Sequence, residues 1–355
     1  MKIRLALLES DKNYLDVISQ SFESKYSDKL EMYSFTDISI ALESLNKYKI
    51  DVFLADSSFE IPDETIPMRC AFSYLTETYG TDTVKGQNAI CKFQKADLIY
   101  KYILNIYSEK ADNISTLTID SGKTKVIFFQ SVSGEAGASS LAAAAAMRFA
   151  VSGKKVLYFN LEKFGSSNIF FEGSGQFDMS DIIFCLKNKR DALRIKLESC
   201  VKRDKSGVFF YAPPKIALDM SELENDDIIY LLQQLKISGE YDYIIADTDL
   251  SIDNGRYTVF NDAHSIIWVS DGSRVSNEKL TRAYRALAAL EDAYDLSLCG
   301  KVAVIYNKFS NKTGQTLDSS IELRNLGGAP GKDGADAVEI VRWLSEMNML
   351  DNIIA

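Results

Sequence analysis

The stretch Val126–Phe149, VIFFQSVSGEAGASSLAAAAAMRF, carries the clearest chemistry in the chain. An apolar run passes straight into a loop holding Gly134 and Gly137, and the loop opens a helical pattern rich in alanine. Such a turn aims successive backbone N–H groups and the positive end of a helix at one spot, which suits phosphate oxygens. The two glycines permit the tight turn and a close approach of the main chain, and Ser139 offers a hydroxyl to a divalent cation. Polar residues end three further apolar runs. These are Asn160 and Glu162 in KKVLYFNLEK, Asp247 in YDYIIADTD, and Asn307 and Lys308 in KVAVIYNKF. Near the N-terminus, Glu9 and Asp11 follow one such run in LLESD, and Asp56 ends another in DVFLADSS.

Open α/β sheets place their sites at strand ends, so these residues need strands to hold them. Strand-like runs lie at Ile3–Leu8, Leu30–Ser34, Ile50–Ala55, Met68–Tyr74 and Ala89–Phe93, with helical spacing over Asn13–Phe22, Ile38–Tyr48 and Asp97–Tyr107. That alternation predicts a parallel five-stranded sheet with crossover helices. The polar run Ser108–Lys125 interrupts it. The alternation then restarts, with strands expected at Val126–Gln130, Val156–Asn160, Val208–Tyr211, Tyr243–Asp247, Ile266–Ser270 and Val302–Tyr306. Helices are expected over Leu141–Val151, Asp226–Lys236 and Asn277–Tyr294. The organisation expected is an α/β chain of two doubly wound domains, 1–110 and 125–355, joined by a linker at 111–124. The glycine pairs of RNLGGAPGK, Arg324–Lys332, read as a loop.

Of the 355 residues, 46% are hydrophobic, enough to fill two cores rather than leave a disordered chain. Forty Lys and Arg against 50 Asp and Glu leave a net charge of −10, so no nucleic-acid partner is expected. Cys70, Cys91, Cys185, Cys200 and Cys299 are scattered with no C-x-x-C pair, which fits a reducing compartment and neither a disulfide framework nor a zinc cluster. The apolar run Leu5–Leu8 stops at Glu9, too short for a signal peptide, and Leu141–Val151 is broken by Arg148 and too short to cross a bilayer. A cytoplasmic chain without a transmembrane segment is expected. The tail AVEIVRWLSEMNMLDNIIA is amphipathic, but its polar side sets Glu339, Glu346 and Asp351 against Arg342. Anionic lipid would repel it, so it is expected to dock on its own domain. His264, the one histidine, has no neighbour in sequence to form a catalytic pair with.

The first domain resembles a response-regulator receiver, a flavodoxin-like fold. The resemblance makes Asp56 the phosphoacceptor, Glu9 one of the magnesium-binding acids and Lys92 the conserved lysine, with Lys95 as the other register. The sequence departs from that pattern in several places. Ser10 stands where the second acid belongs, Phe72 where a threonine or serine belongs, with Ser73 one place late, and Ser57–Ile66 is too short for a crossover helix with its two loops. Phosphoryl transfer needs its metal and its charge-neutralising groups together. A docking module that takes no phosphoryl group at Asp56 from acetyl phosphate is therefore expected.

The second domain resembles the P-loop NTPases of the ParA/MinD family, whose deviant Walker A reads K-G-G-x-x-K-T-T/S. Gly134, Glu135, Ala136, Gly137, Ala138, Ser139 and Ser140 take the loop positions. Glu135 replaces a glycine, Ala138 replaces the lysine that pairs with the phosphates, and Ser133 replaces the lysine that reaches across the dimer. The resemblance makes Ser139 and Asp247 the magnesium residues and Glu162 the residue that orients the attacking water. It makes Asn307 the reader of the adenine edge, with Lys308 beside it. Asp249 stands where the proline after Walker B belongs. Lys163, Arg256 and Arg274 are the candidates for a replacement cation.

A receiver followed by a ParA/MinD ATPase is similar to the TadZ/CpaE group of pilus-assembly proteins. That resemblance implies a dimerising protein that binds ATP and Mg2+ with weak or no hydrolysis and is recruited to the cell pole. Its partners would be components of a Tad-type (Flp) pilus secretion machine. Two other functions stay open on the sequence, an active partitioning ATPase and a phosphorelay output protein controlled at Asp56.

Overall fold

The computed structural model describes residues 2–110, 124–251, 255–315, 317 and 321–354. They form two compact units, each built on its own sheet. The expected linker at 111–124 lies outside the described residues apart from Thr124.

The first unit contains β1 (Ile3–Leu8), α1 (Lys12–Tyr26), β2 (Leu30–Phe35), α2 (Ile38–Lys47) and β3 (Val52–Asp56). It continues with β4 (Ala71–Thr76), β5 (Thr83–Val84), β6 (Gln87–Cys91) and α3 (Ala96–Lys110). The sheet order is β2-β1-β3-β4-β6-β5, parallel throughout except for the short edge strand β5, which runs antiparallel to β6. Strands buried on both faces read as continuous apolar runs, and β3 is buried at every position. No α-helix joins β3 to β4, as the short Ser57–Ile66 interval requires; Ile61 and Cys70 of that connection join the core beside Phe53 and Tyr74. Asp11 caps α1, its carboxylate accepting from the N–H groups of Asn13 and Tyr14.

The rest of the chain supplies β7 (Lys125–Ser131), α4 (Ala138–Val151), β8 (Val156–Asn160), α5 (Ser167–Phe170), α6 (Met179–Asn188) and α7 (Leu193–Cys200). Then come β9 (Lys202–Arg203), β10 (Phe209–Phe210), α8 (Asn225–Ser238), β11 (Tyr243–Asp247) and β12 (Ser265–Ser270). The series ends with α9 (Arg274–Tyr294), β13 (Val302–Tyr306), β14 (Arg324–Gly328) and α10 (Ala337–Ser345). The second sheet runs β14-β13-β12-β7-β11-β8-β10-β9, with β9 alone antiparallel. The buried alanines Ala142–Ala146 make α4 thin enough to lie close on this sheet and under α10. Val341 and Leu344 of α10 bury themselves in the same core, so the tail docks on its own domain as expected.

Two expectations change. Phe184–Cys200, counted with the second domain on sequence order, belongs to the first unit. There α7 packs on α3; Lys196 bonds Asn105, and the Tyr100 hydroxyl donates to Glu198 at 3.2 Å. Helix α3 is accordingly buried at every position from Tyr102 to Ser108, around its full circumference. Arg324–Lys332 is not all loop, because β14 pairs in parallel with β13. Gly328 fits a close approach rather than a turn; a Cβ there would come within 2.8 Å of the Tyr306 backbone oxygen.

Candidate functional site

The loop from β7 to α4 is shaped by its own hydroxyls and by the end of β13. The Ser131 hydroxyl donates to the Ser133 carbonyl at 2.6 Å, and the Ser133 and Ser276 hydroxyls bond each other. Glu135 and Gly137 both adopt positive φ, 62° and 87°. The left-handed turn at Gly137 caps α4, leaving the helix's first N–H groups at the loop. A Cβ at 137 would fall on the Asn307 amide, so only glycine fits. Asn307 Nδ2 donates to the Ala136 carbonyl at 2.8 Å, and Lys308 Nζ donates to the Glu135 carbonyl at 2.7 Å. Around Gly134 a Cβ would meet nothing within 4 Å.

An acid cluster stands beside the first turn of α4. The register pairs Asp247 of β11 with Asn160 of β8. Asp247 is only 1% exposed, and its Oδ2 accepts from the Tyr158 hydroxyl at 2.6 Å and from Asn160 Nδ2 at 3.2 Å. Its Oδ1 is buried with no hydrogen-bond partner. The Glu162 backbone N–H donates to Asn160 Oδ1 at 3.0 Å, and the Ser139 hydroxyl lies 3.3 Å from Glu162 Oε2. Burial, and then the charge on Glu162, push the Asp247 carboxyl up to about 8, against the opposing hydrogen bond from Tyr158. Burial also raises Glu162, with Asp249 adding to it against the Asn160 hydrogen bond. Two carboxylates close together and removed from water are costly to keep charged, and both are shifted upward.

Of the three candidate replacement cations, Lys163 follows Glu162 and its N–H donates to Asp249 Oδ2 at 3.4 Å, and Arg256 feels the Asp249 charge. Arg256 is half-buried and donates to Asn225 Oδ1 at 3.4 Å; its pKa is lowered by burial. Lys163 and Arg274 are exposed, the latter in the first turn of α9. His264 directly precedes β12, its N–H donating to the Val126 carbonyl, and plays no part in the cluster. Sequence reading missed Tyr158, whose place in an apolar strand gives no sign that its hydroxyl orients Asp247.

The receiver residues do converge. Lys92 Nζ reaches Asp56 Oδ2 at 2.9 Å, Glu9 Oε2 at 3.2 Å and Glu77 Oε1 at 3.1 Å. Burial alone would lower the Lys92 pKa, but its hydrogen bonds to Asp56, Glu77 and Glu9 hold it above the ordinary value. Burial raises Asp56, while hydrogen bonds from Ser58 and Lys92 outweigh it and leave the carboxyl below its usual range. Glu77 was not foreseen. The hydroxyl at the carboxyl end of β4 is Thr76, because the strand begins at Ala71 rather than at Met68; Ser73 is buried and bonded to Tyr102. Asp11 serves as a helix cap and does not join the cluster.

The residues present fit a magnesium–nucleotide at the second site. The unpartnered Asp247 oxygen and the Ser139 hydroxyl are hard oxygen donors suited to Mg2+, and the loop supplies amides and a helix end. Among the described residues there is no group of three or more His, Cys, Asp or Glu side chains arranged to hold a metal by themselves. Among them, too, no helix is long and apolar enough to cross a membrane. All five cysteines are free.

Residues 1–108 match the family model described as TadZ-like, receiver domain. Among solved structures, the chain is similar to a ParA family ATPase from Chlorobium tepidum TLS at 19% identity, covering 66% of this chain and 97% of that one, with a TM-score of 0.50. The MinC:MinD cell division protein complex of Aquifex aeolicus aligns at 18% identity over 65% of this chain and 94% of that one, TM-score 0.47. A plasmid partition protein from Borrelia burgdorferi B31 bound to AMPPNP aligns at 16% identity, over 65% and 98%, TM-score 0.43. Comparison with curated proteins gives no match.

Proposed function

We propose that the chain is a nucleotide-dependent localisation and assembly factor for a Tad-type pilus secretion machine; the match of residues 1–108 to a TadZ-like receiver domain and the likeness in fold to a ParA family ATPase support this reading. It binds Mg-ATP and hydrolyses it slowly or not at all. The amides of Gly134–Ser140 hold the phosphates, and Ser139 and Asp247 hold the magnesium. Asn307 reads the adenine edge through Oδ1, since its Nδ2 is committed to Ala136. Glu162 stands where the attacking water would be oriented. With Ala138 and Ser133 in place of two lysines, no ammonium from the loop meets the charge that develops in transfer, so binding outlasts turnover.

The observation that carries this reading is the buried, unpartnered Asp247 oxygen beside a glycine loop that opens a helix. Asp247→Asn is expected to remove the magnesium dependence of ATP binding, measured by calorimetry; an unchanged dependence would contradict it. We infer a homodimer recruited to the cell pole, and the protein fused to a fluorophore is expected to form polar foci in cells carrying a Tad-type machine. A diffuse signal in those cells would contradict that part.

A further inference from the structure

The loop lacks both of its lysines, yet a lysine touches it. Lys308 donates from Nζ to the carbonyl of Glu135 at 2.7 Å, inside the segment proposed to hold the phosphates. Its backbone sits in the left-handed region at φ 58°, uncommon for a residue with a Cβ, and Glu135 opposite it has φ 62°. Neighbouring contacts hold this geometry. The Asn307 N–H donates to the Ser270 carbonyl, Asn307 Nδ2 to Ala136, and the Phe309 N–H to Ala329. Among the described residues the ammonium bonds a carbonyl rather than a carboxylate, so its charge is left for another anion. Independently, the buried Asp247 Oδ1 lacks the partner that a bound cation would supply.

We propose that Lys308 supplies from just beyond the end of β13 the positive charge that positions 133 and 138 lack, its ammonium moving from the Glu135 carbonyl to a phosphate oxygen of the bound triphosphate. This rests on the Mg-ATP reading. The lysine then arrives from a different strand and in a different direction from a loop lysine. It neutralises the phosphate chain and also offsets the carboxylate that Glu135 brings to the loop. Electrostatic support of this kind serves binding without placing a charge where a loop lysine would assist transfer.

The test is a charge series at 308 in the full-length chain, read as the dissociation constant for Mg-ATP by calorimetry with the unfolding temperature of each nucleotide-free variant alongside. Lys308→Arg is expected to bind within about threefold of the parent, Lys308→Gln roughly tenfold more weakly, and Lys308→Glu weaker again by a similar factor. The salt dependence of binding should flatten in Lys308→Gln. If the parent binds and the Gln and Glu variants bind as it does, or lose affinity equally, the charge assignment to Lys308 fails while the nucleotide reading stands. If the parent binds no Mg-ATP, the nucleotide reading fails and takes Lys308 with it. A glutamine that keeps the hydrogen bond to Glu135 but loses the charge separates a purely structural tether from the proposed role.

Discussion

Asp247 and Lys92 are both buried ionisable groups, and their surroundings treat them oppositely. Lys92 has three carboxylates about it, whereas Asp247 has a hydroxyl, an amide and a second acid nearby and, among the described residues, no ion pair. Removing the Lys92 ammonium strands two buried carboxylates, so Lys92→Met is expected to destabilise the fold by about 3–5 kcal/mol in chemical unfolding. A loss below about 1 kcal/mol would show that the cluster is not held by charge. For Asp247 the folded pKa, about 8, lies above that of the unfolded chain. The folded form keeps a proton that the unfolded chain has lost, so this stabilisation is full below about pH 4 and disappears as pH rises through the folded value. The unfolding temperature of the nucleotide-free protein is expected to fall between about pH 5 and about pH 9 more steeply than that of Asp247→Asn; parallel curves would contradict it. At this scale the sequence showed the acids, the loop and Lys92, because polar residues at the ends of apolar runs stand out. It hid Tyr158 and Glu77, since one is an apolar-looking strand residue and the other an ordinary surface acid until the chain folds around it.

The elements were legible wherever an apolar run has strand length and a cap or loop bounds it. Strands β1, β8, β11 and β13 lie where their runs end, and Asp11 and Asp37 cap the helices that follow them. Strand β14 was hidden, because glycine reads as a turn when its real use is contact with Tyr306. Strand β4 starts three residues later than its apolar run, which moved the hydroxyl assignment to Thr76. The docking of the tail on α4 is carried by Leu344 of α10 in the core and, just beyond α10, by the two-point bond of Arg148 to Asp351 at 3.0 and 2.8 Å. Leu344→Ala is expected to cost about 2–5 kcal/mol in equilibrium unfolding through the cavity it leaves. A near-neutral result would mean that α10 does not belong to the core, and would reopen a lipid-facing role for the tail.

At the scale of the molecule, sequence order misassigned one segment. Phe184–Cys200 lies far along the chain but completes the unit begun at the N-terminus. Its pattern is that of any amphipathic helix, and nothing local in KNKRDALRIKLESC states which core it will cover. What fits is the other surface, since α3 is too apolar all round to face water. A fragment ending at residue 110 is therefore expected to aggregate or melt early, and to recover when Phe184–Cys200 is supplied as a fused segment. Equal melting of the two forms would contradict the assignment. The central claim, that main-chain amides, a helix end and a metal hold a triphosphate where two lysines are missing, is tested most directly by titrating Mg-ATP into the full-length protein in a calorimeter and assaying phosphate in the same sample. The expected result is saturable binding that disappears with EDTA, with little phosphate released over many dissociation times. Heat indistinguishable from dilution, or sustained multiple-turnover release, would contradict it.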